Sequence, residues 1–201
     1  MNSRRFALAS LLIPVCLGLP AHGADSQPPP VGTTLPAVWK QTKIEFHYFG
    51  RTSRYSCDGM RDKVRALLLD MGVRTDMRLR TNGCEIGRIS LVGINPGLTI
   101  EFSAPAVRAG GDKGATDAQD KSFDARYMPF NFRQDAFRNL NIGDCELVEE
   151  FVRQVVPKLA VRNLQKDITC VPYQQSSGSY RVSGEVLKPF TAEVPASATH
   201  R

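Results

Sequence analysis

Along this chain, polar and apolar positions alternate in short stretches, switch to a helical period, and then do both again. Ile44, Phe46 and Tyr48 alternate with Lys43, Glu45 and His47, the two-residue period of a half-buried strand. Met60, Val64, Leu67, Leu68 and Met71 then fall on one stripe of a helix, and Gly72 follows where a helix commonly ends in a left-handed glycine. Met77, Leu79 and Thr81 alternate with Arg78 and Arg80 as a second strand, and Leu98, Ile100 and Phe102 alternate with Thr99 and Glu101 as a third. Between those two, residues 85–97 leave room for a short extra strand through Ile89 and Leu91, ending at the turn Asn95-Pro96-Gly97.

The same order recurs downstream. Met128, Phe130 and Phe132 form a strand face, with Pro129 pointing to an edge or a bulge. Val148, Phe151, Val152, Val155 and Leu159 make the stripe of a second helix, which Pro157 bends or ends. Leu164, Lys166 and Ile168 lead to Cys170, and a last strand covers residues 180–187. The expected fold is an α+β two-layer sandwich: two helices on one face of a mixed sheet built from tandem βαββ units. SCDGMRDKVRALL aligns with DCELVEEFVRQVV, setting Cys57 against Cys145, Asp58 against Glu146 and Arg65 against Arg153. That match suits an internal duplication, although two amphipathic helices can agree this far by chance. In both, a capping residue, Ser56 or Asp144, precedes the cysteine, and an acidic residue after it sits at the positive end of the helix dipole.

Composition changes this picture at the ends. Arg4 and Arg5, an apolar run over residues 6–19 and the small residues of Ala21-His22-Gly23 read as a Sec-type secretory signal peptide over residues 1–23. A twin-arginine or lipoprotein route fits less well, because Phe6 comes one residue early and the bulky Val15 precedes Cys16. The run is too short, and broken by Pro14, to span a bilayer, so no transmembrane segment is expected. The expected organisation is a flexible Pro-rich linker at 24–37, one α+β domain at 38–188 with halves at about 38–104 and 125–188 around a polar loop at 105–124, and a flexible tail at 189–201.

Signal removal lowers five cysteines to four and the formal charge from +6 to +4. An even number of cysteines in an oxidising periplasmic or secreted location points to disulfides. In a right-handed βαβ unit the second strand runs in the direction of the first, so its end returns to the side where the helix began. Each cysteine pair joins a helix start to such a strand end, which predicts Cys57 with Cys84 and Cys145 with Cys170.

Enzyme signatures are sparse. After signal removal His47 and His200 are the only histidines, so a Ser-His-Asp triad would have to use His47, which lies on the polar face of the first strand. No catalytic residue, metal site or cofactor is assigned: paired histidines, CxxC spacing and phosphate-binding glycine loops are all missing. The carboxylate pairs Asp58 with Asp62 and Glu146 with Glu150 stand one turn apart near helix starts, where the dipole already accounts for them, yet they leave open a hydrolase acting on an envelope polymer. Nucleic acid is not expected as a partner, because Asp62, Asp70 and Asp76 interrupt the basic residues and the protein is exported.

The sharpest candidate is the connection FGRTSRYSCDG, from the first strand into the first helix. It sets Arg51, Thr52, Ser53, Arg54, Tyr55 and Ser56 beside the free amides of a helix start, where an anion or an anionic envelope component could be held. The plainer alternative is that Ser56 caps the helix while the arginines cover sheet edges with their stems. A third possibility is a structural or assembly role with another envelope protein as partner.

The stretch FHYFGRTSRYSCDGMRDKVRALLLDMG, with GDCELVEEFV later, resembles a group of small exported proteins of Gram-negative bacteria whose function is uncharacterised. The resemblance covers most of the chain between Trp39 and Leu187. It implies that the four cysteines belong to one structural framework, and it implies no activity, ligand or catalytic residue.

Overall fold

The computed structural model describes residues 33–83, 96–108, 122–134, 140–174 and 178–190. In chain order these form β1 (Thr34–His47), α1 (Cys57–Asp70), β2 (Arg78–Asn82), β3 (Gly97–Val107) and β4 (Phe123–Arg133). A 3-10 turn (Ile142–Asp144) then leads directly into α2 (Cys145–Gln154), and a second 3-10 turn (Val156–Lys158) is followed by β5 (Val161–Thr169) and β6 (Ser179–Pro189). The signal peptide, the extra strand expected within 85–97 and Cys84 lie outside the described residues.

Six strands make one sheet in the order β2-β3-β1-β4-β6-β5, and every pairing is antiparallel. The mixed sheet expected from the sequence is therefore corrected. The crossover through α1 does carry β2 in the same direction as β1, but β3 inserts between them and converts a parallel neighbour into two antiparallel ones. β4, β6 and β5 are arranged in the same way around α2.

β1 and β4 share only a short ladder, from Thr34 opposite Arg126 to Ala37 opposite Phe123. β1 thus starts at Thr34, inside the Pro-rich stretch that composition assigns to the linker. Pro36 is tolerated there because its carbonyl accepts from Arg108 N–H at 3.0 Å and only the donor is missing. Beyond Arg126, β4 pairs with β6 on one side and with no strand on the other among the described residues, so Pro129 sits where its missing N–H breaks no described ladder bond to β1.

One core lies between the helices and the sheet. Met60, Val64, Leu67 and Leu68 of α1 and Leu147, Val148 and Phe151 of α2 join Phe46, Ile100, Phe132 and Val182 of the strands. Phe132 and Phe151 meet edge-on, with ring centroids 6.2 Å apart. Met128, expected on that face, is 41% exposed. A smaller cluster of Ala37, Ala125 and Leu187, flanked by Leu35, Phe123 and Tyr127, covers the β1–β4 junction.

The helix ends follow local chemistry. Ser56 caps α1 by accepting from Gly59 N–H at 3.1 Å, and Gly72 takes the left-handed conformation (φ +78°) just past its C-terminus. Pro157 falls in the 3-10 turn that closes α2. In β5 a register shift between Arg162 and Gln165, with Asn163 at φ +54°, breaks the expected alternation: Leu164 is 40% exposed and Lys166 is exposed. No described helix is long and apolar enough to cross a membrane.

Candidate functional site

The loop between β1 and α1 packs on the start of α2, and four consecutive residues, Gly143 to Glu146, each hold a different piece of the molecule. Gly143 accepts through its carbonyl from the Ser53 hydroxyl at 2.5 Å. Asp144 accepts from the Tyr55 hydroxyl at 2.6 Å and pairs with Lys63 of α1 at 2.8 Å. Cys145 is joined to Cys170 by the disulfide expected from the sequence, with Cα atoms 5.6 Å apart. Glu146 accepts from the Thr52 backbone N–H at 2.8 Å.

This arrangement corrects the reading of Asp144 as the cap of α2. Asp144 occupies the position before the helix but makes no side-chain cap to it. Its carboxylate turns back to accept from Asn141 N–H at 2.7 Å, while Asn141 accepts from Gly143 N–H at 3.0 Å. With Tyr55 and Lys63 added, a carboxylate only 1% exposed is surrounded by donors, which is what a buried charge requires.

Glu146 differs in the same sense from Asp58, its partner in the alignment. Asp58 is exposed and pairs with Arg61 at 2.8 Å on the surface of α1. Glu146 is buried: besides Thr52 it has the Tyr48 hydroxyl 3.3 Å away, and that hydroxyl donates to the Ser53 carbonyl at 2.8 Å. Burial first, and then the negative charge of Glu146, push the Tyr48 phenol well above its ordinary range. Burial and the hydrogen bond to Asp144 do the same to Tyr55.

The far side of the loop is tied to the residues just after the disulfide. Thr52 Oγ1 accepts from Tyr173 N–H at 3.0 Å and lies 3.3 Å from the Val171 carbonyl. At the end of β1, the Gln154 side chain satisfies both backbone groups of His47, accepting at 2.9 Å and donating at 2.7 Å. A carboxamide of α2 thus stands where a neighbouring strand would.

The six residues proposed for a ligand therefore separate into two sets. Thr52, Ser53, Tyr55 and Ser56 spend their hydroxyls or amides inside the molecule. Arg51 and Arg54 are exposed and have no ion pair or hydrogen bond among the described residues. The loop's capacity for an anion is met at Thr52 by a carboxylate of the chain itself. Glu146 and Tyr48 were missed as parts of this site; the signal available was a hydroxyl-rich loop in one half and an acidic helix start in the other.

The carboxylates that could serve as acid and base are each engaged elsewhere. Asp58 and Asp62 both contact Arg61, and Glu150 pairs with Arg153 and accepts from Gln154. Among the described residues, no three His, Cys, Asp or Glu gather as a metal site. No family model matches the chain, and comparison with curated proteins and with solved structures finds no significant match.

Proposed function

We propose that this chain is an exported, non-enzymatic protein of the bacterial envelope that binds an anionic component through Arg51 and Arg54. The observation that carries the reading is the contrast within one loop: its interior is fixed on Asp144 and Glu146, while its two guanidiniums remain at the surface. A fixed loop has little conformational entropy left to lose on binding, so exposed cations held on it bind an anion at lower cost than cations on a free segment. Guanidinium forks suit carboxylate or phosphate groups.

Three further readings belong to the same proposal. Residues 1–23 act as the signal peptide that delivers the chain to an oxidising compartment. Cys57 pairs with Cys84, as Cys145 does with Cys170, and ties the loop from its other end. The two halves descend from one duplicated βαββ unit, supported by an element order and strand order that are alike on both sides of the β1–β4 junction.

The test is a thermal-shift series with polyphosphate and polygalacturonate on the oxidised protein and on an Arg51→Ala, Arg54→Ala variant. The reading expects stabilisation of the native protein that disappears in the variant. Equal stabilisation of both proteins would remove the loop as the binding element.

A further inference from the structure

A second basic feature lies on the opposite face of the sheet and uses other residues. Arg133 of β4 stands directly opposite Arg181 of β6, which stands opposite Asp167 of β5. All three are exposed and alternate along their strands with core residues such as Phe132 and Val182, so they project from the face that the helices leave open. Like charges directly across a ladder destabilise it. Among the described residues, neither arginine makes an ion pair or hydrogen bond, not even with Asp167. The other half of the sheet shows the usual solution: Glu101 stands between Arg78 and Lys43 and reaches Lys43 at 3.1 Å, so the charges alternate in sign.

The arginine pair borders a groove of about 470 Å³ lined by Arg133, Gln134, Asp167, Ser179, Tyr180 and Arg181. That volume is in the range of small-molecule sites, which run about 300–1,000 Å³. It exceeds what one oxyanion would fill. An oxyanion held between the two guanidiniums would replace their repulsion with charge-assisted hydrogen bonds. Two forks match the several oxygens and nearly double charge of a phosphoryl group better than the single charge of a carboxylate. Gln134 and Ser179 add neutral donors and acceptors. The Tyr180 hydroxyl is already committed to the Asn141 carbonyl at 3.2 Å, and its ring is buried in the core, so it adds no polar group to the groove. Asp167 would repel a bare phosphate, but an ionised carboxylate accepts hydrogen bonds from ligand hydroxyls.

We propose that this groove binds a phosphorylated sugar, with the phosphoryl group between Arg133 and Arg181 and the sugar hydroxyls toward Asp167 and Gln134. The site goes beyond the loop reading above and stands or falls without it. Isothermal titration calorimetry on the full oxidised chain, using inorganic phosphate, glucose and glucose 6-phosphate as probes, tests it. Glucose 6-phosphate should bind about tenfold more tightly than inorganic phosphate, and glucose alone should show no heat. Arg133→Ala and Arg181→Ala should each weaken glucose 6-phosphate by about tenfold or more, and Asp167→Asn should abolish its advantage over phosphate. The Arg51→Ala, Arg54→Ala variant should bind it as the native chain does. Because each single arginine variant relieves a repulsion, its melting temperature should match or exceed that of the native chain. No binding of glucose 6-phosphate at millimolar concentration, undiminished binding to a variant carrying both Arg133→Ala and Arg181→Ala, or single arginine variants that melt several degrees lower would overturn this assignment.

Discussion

Tyr55 donates its hydroxyl to one oxygen of Asp144 at 2.6 Å, across 89 residues of chain, while Lys63 holds the other oxygen at 2.8 Å. One buried carboxylate thereby collects the β1–α1 loop, helix α1 and the turn before α2. Its worth lies less in attraction than in the cost of leaving any one of these groups behind.

Lys63→Met should accordingly destabilise the protein by about 3 kcal/mol, the lower end for breaking a buried pair, since the Lys63 side chain keeps 20% exposure. Combining it with Asp144→Asn should cost less than the sum of the two single changes. Arg61→Ala, which loses only exposed contacts with Asp58 and Asp62, should fall within about 0.5 kcal/mol of the native protein. Urea unfolding of the four variants checks this ordering, and equal losses for Lys63 and Arg61 would contradict it.

Gly50 is required by close approach rather than by its backbone angle. A Cβ there would lie 2.0 Å from the Tyr48 hydroxyl, whose ring is held between the Ser53 carbonyl and Glu146. Gly50→Ala should therefore cost about 1–3 kcal/mol through overpacking. Pairing it with Tyr48→Ala should recover part of the loss relative to Tyr48→Ala with additive costs, which a double-mutant cycle in urea measures.

The Cys145–Cys170 disulfide closes a separation of 25 residues. On the chain-entropy model its removal by Cys145→Ala with Cys170→Ala should cost about 3–4 kcal/mol. Thermal and urea unfolding of that variant against the oxidised native chain measure the effect, and a change below about 1 kcal/mol would show that other ties already fix the loop to Val171 and Tyr173.

Much of the fold was readable from periodicity. The stripe through Met60, Val64, Leu67 and Leu68 gave α1 its buried face because burial on one side of a helix is a local property of the sequence. Strand neighbours are not local: whether β2 lies beside β1 or admits β3 between them depends on packing across the sheet, so the mixed sheet was the wrong expectation. Leu164 misled for a related reason: it falls within the register shift between Arg162 and Gln165, beside the positive-φ Asn163, and is exposed, whereas Ile168 farther along packs against the core as expected. At the candidate site, the position of Asp144 before a helix was legible, but its partners Tyr55 and Lys63 come from the other half, and no spacing within α2 announces them.

Alkaline pH offers a separate check on the buried tyrosines. Both phenols are held well above the ordinary value of 10.0 when folded, so the unfolded chain releases these protons first. The stability they contribute is fully present below about pH 10 and falls as pH rises beyond it, by about 1.4 kcal/mol per pH unit for each tyrosine. Tyrosinate absorbance should show Tyr48 and Tyr55 silent until the protein unfolds, and Tyr48→Phe with Tyr55→Phe should flatten the alkaline limb of the stability curve. An unchanged limb would refute the assignment.

The Thr52 backbone N–H donates to Glu146 and so fixes the loop that presents Arg51 and Arg54. Native-state hydrogen exchange of that amide, followed by NMR in the native protein and in Glu146→Ala, is the decisive measurement. The account predicts strong protection at Thr52 in the native chain, lost in the variant while core amides such as Val182 stay protected. A Thr52 amide exchanging at the rate of an unstructured peptide in the native protein would contradict it.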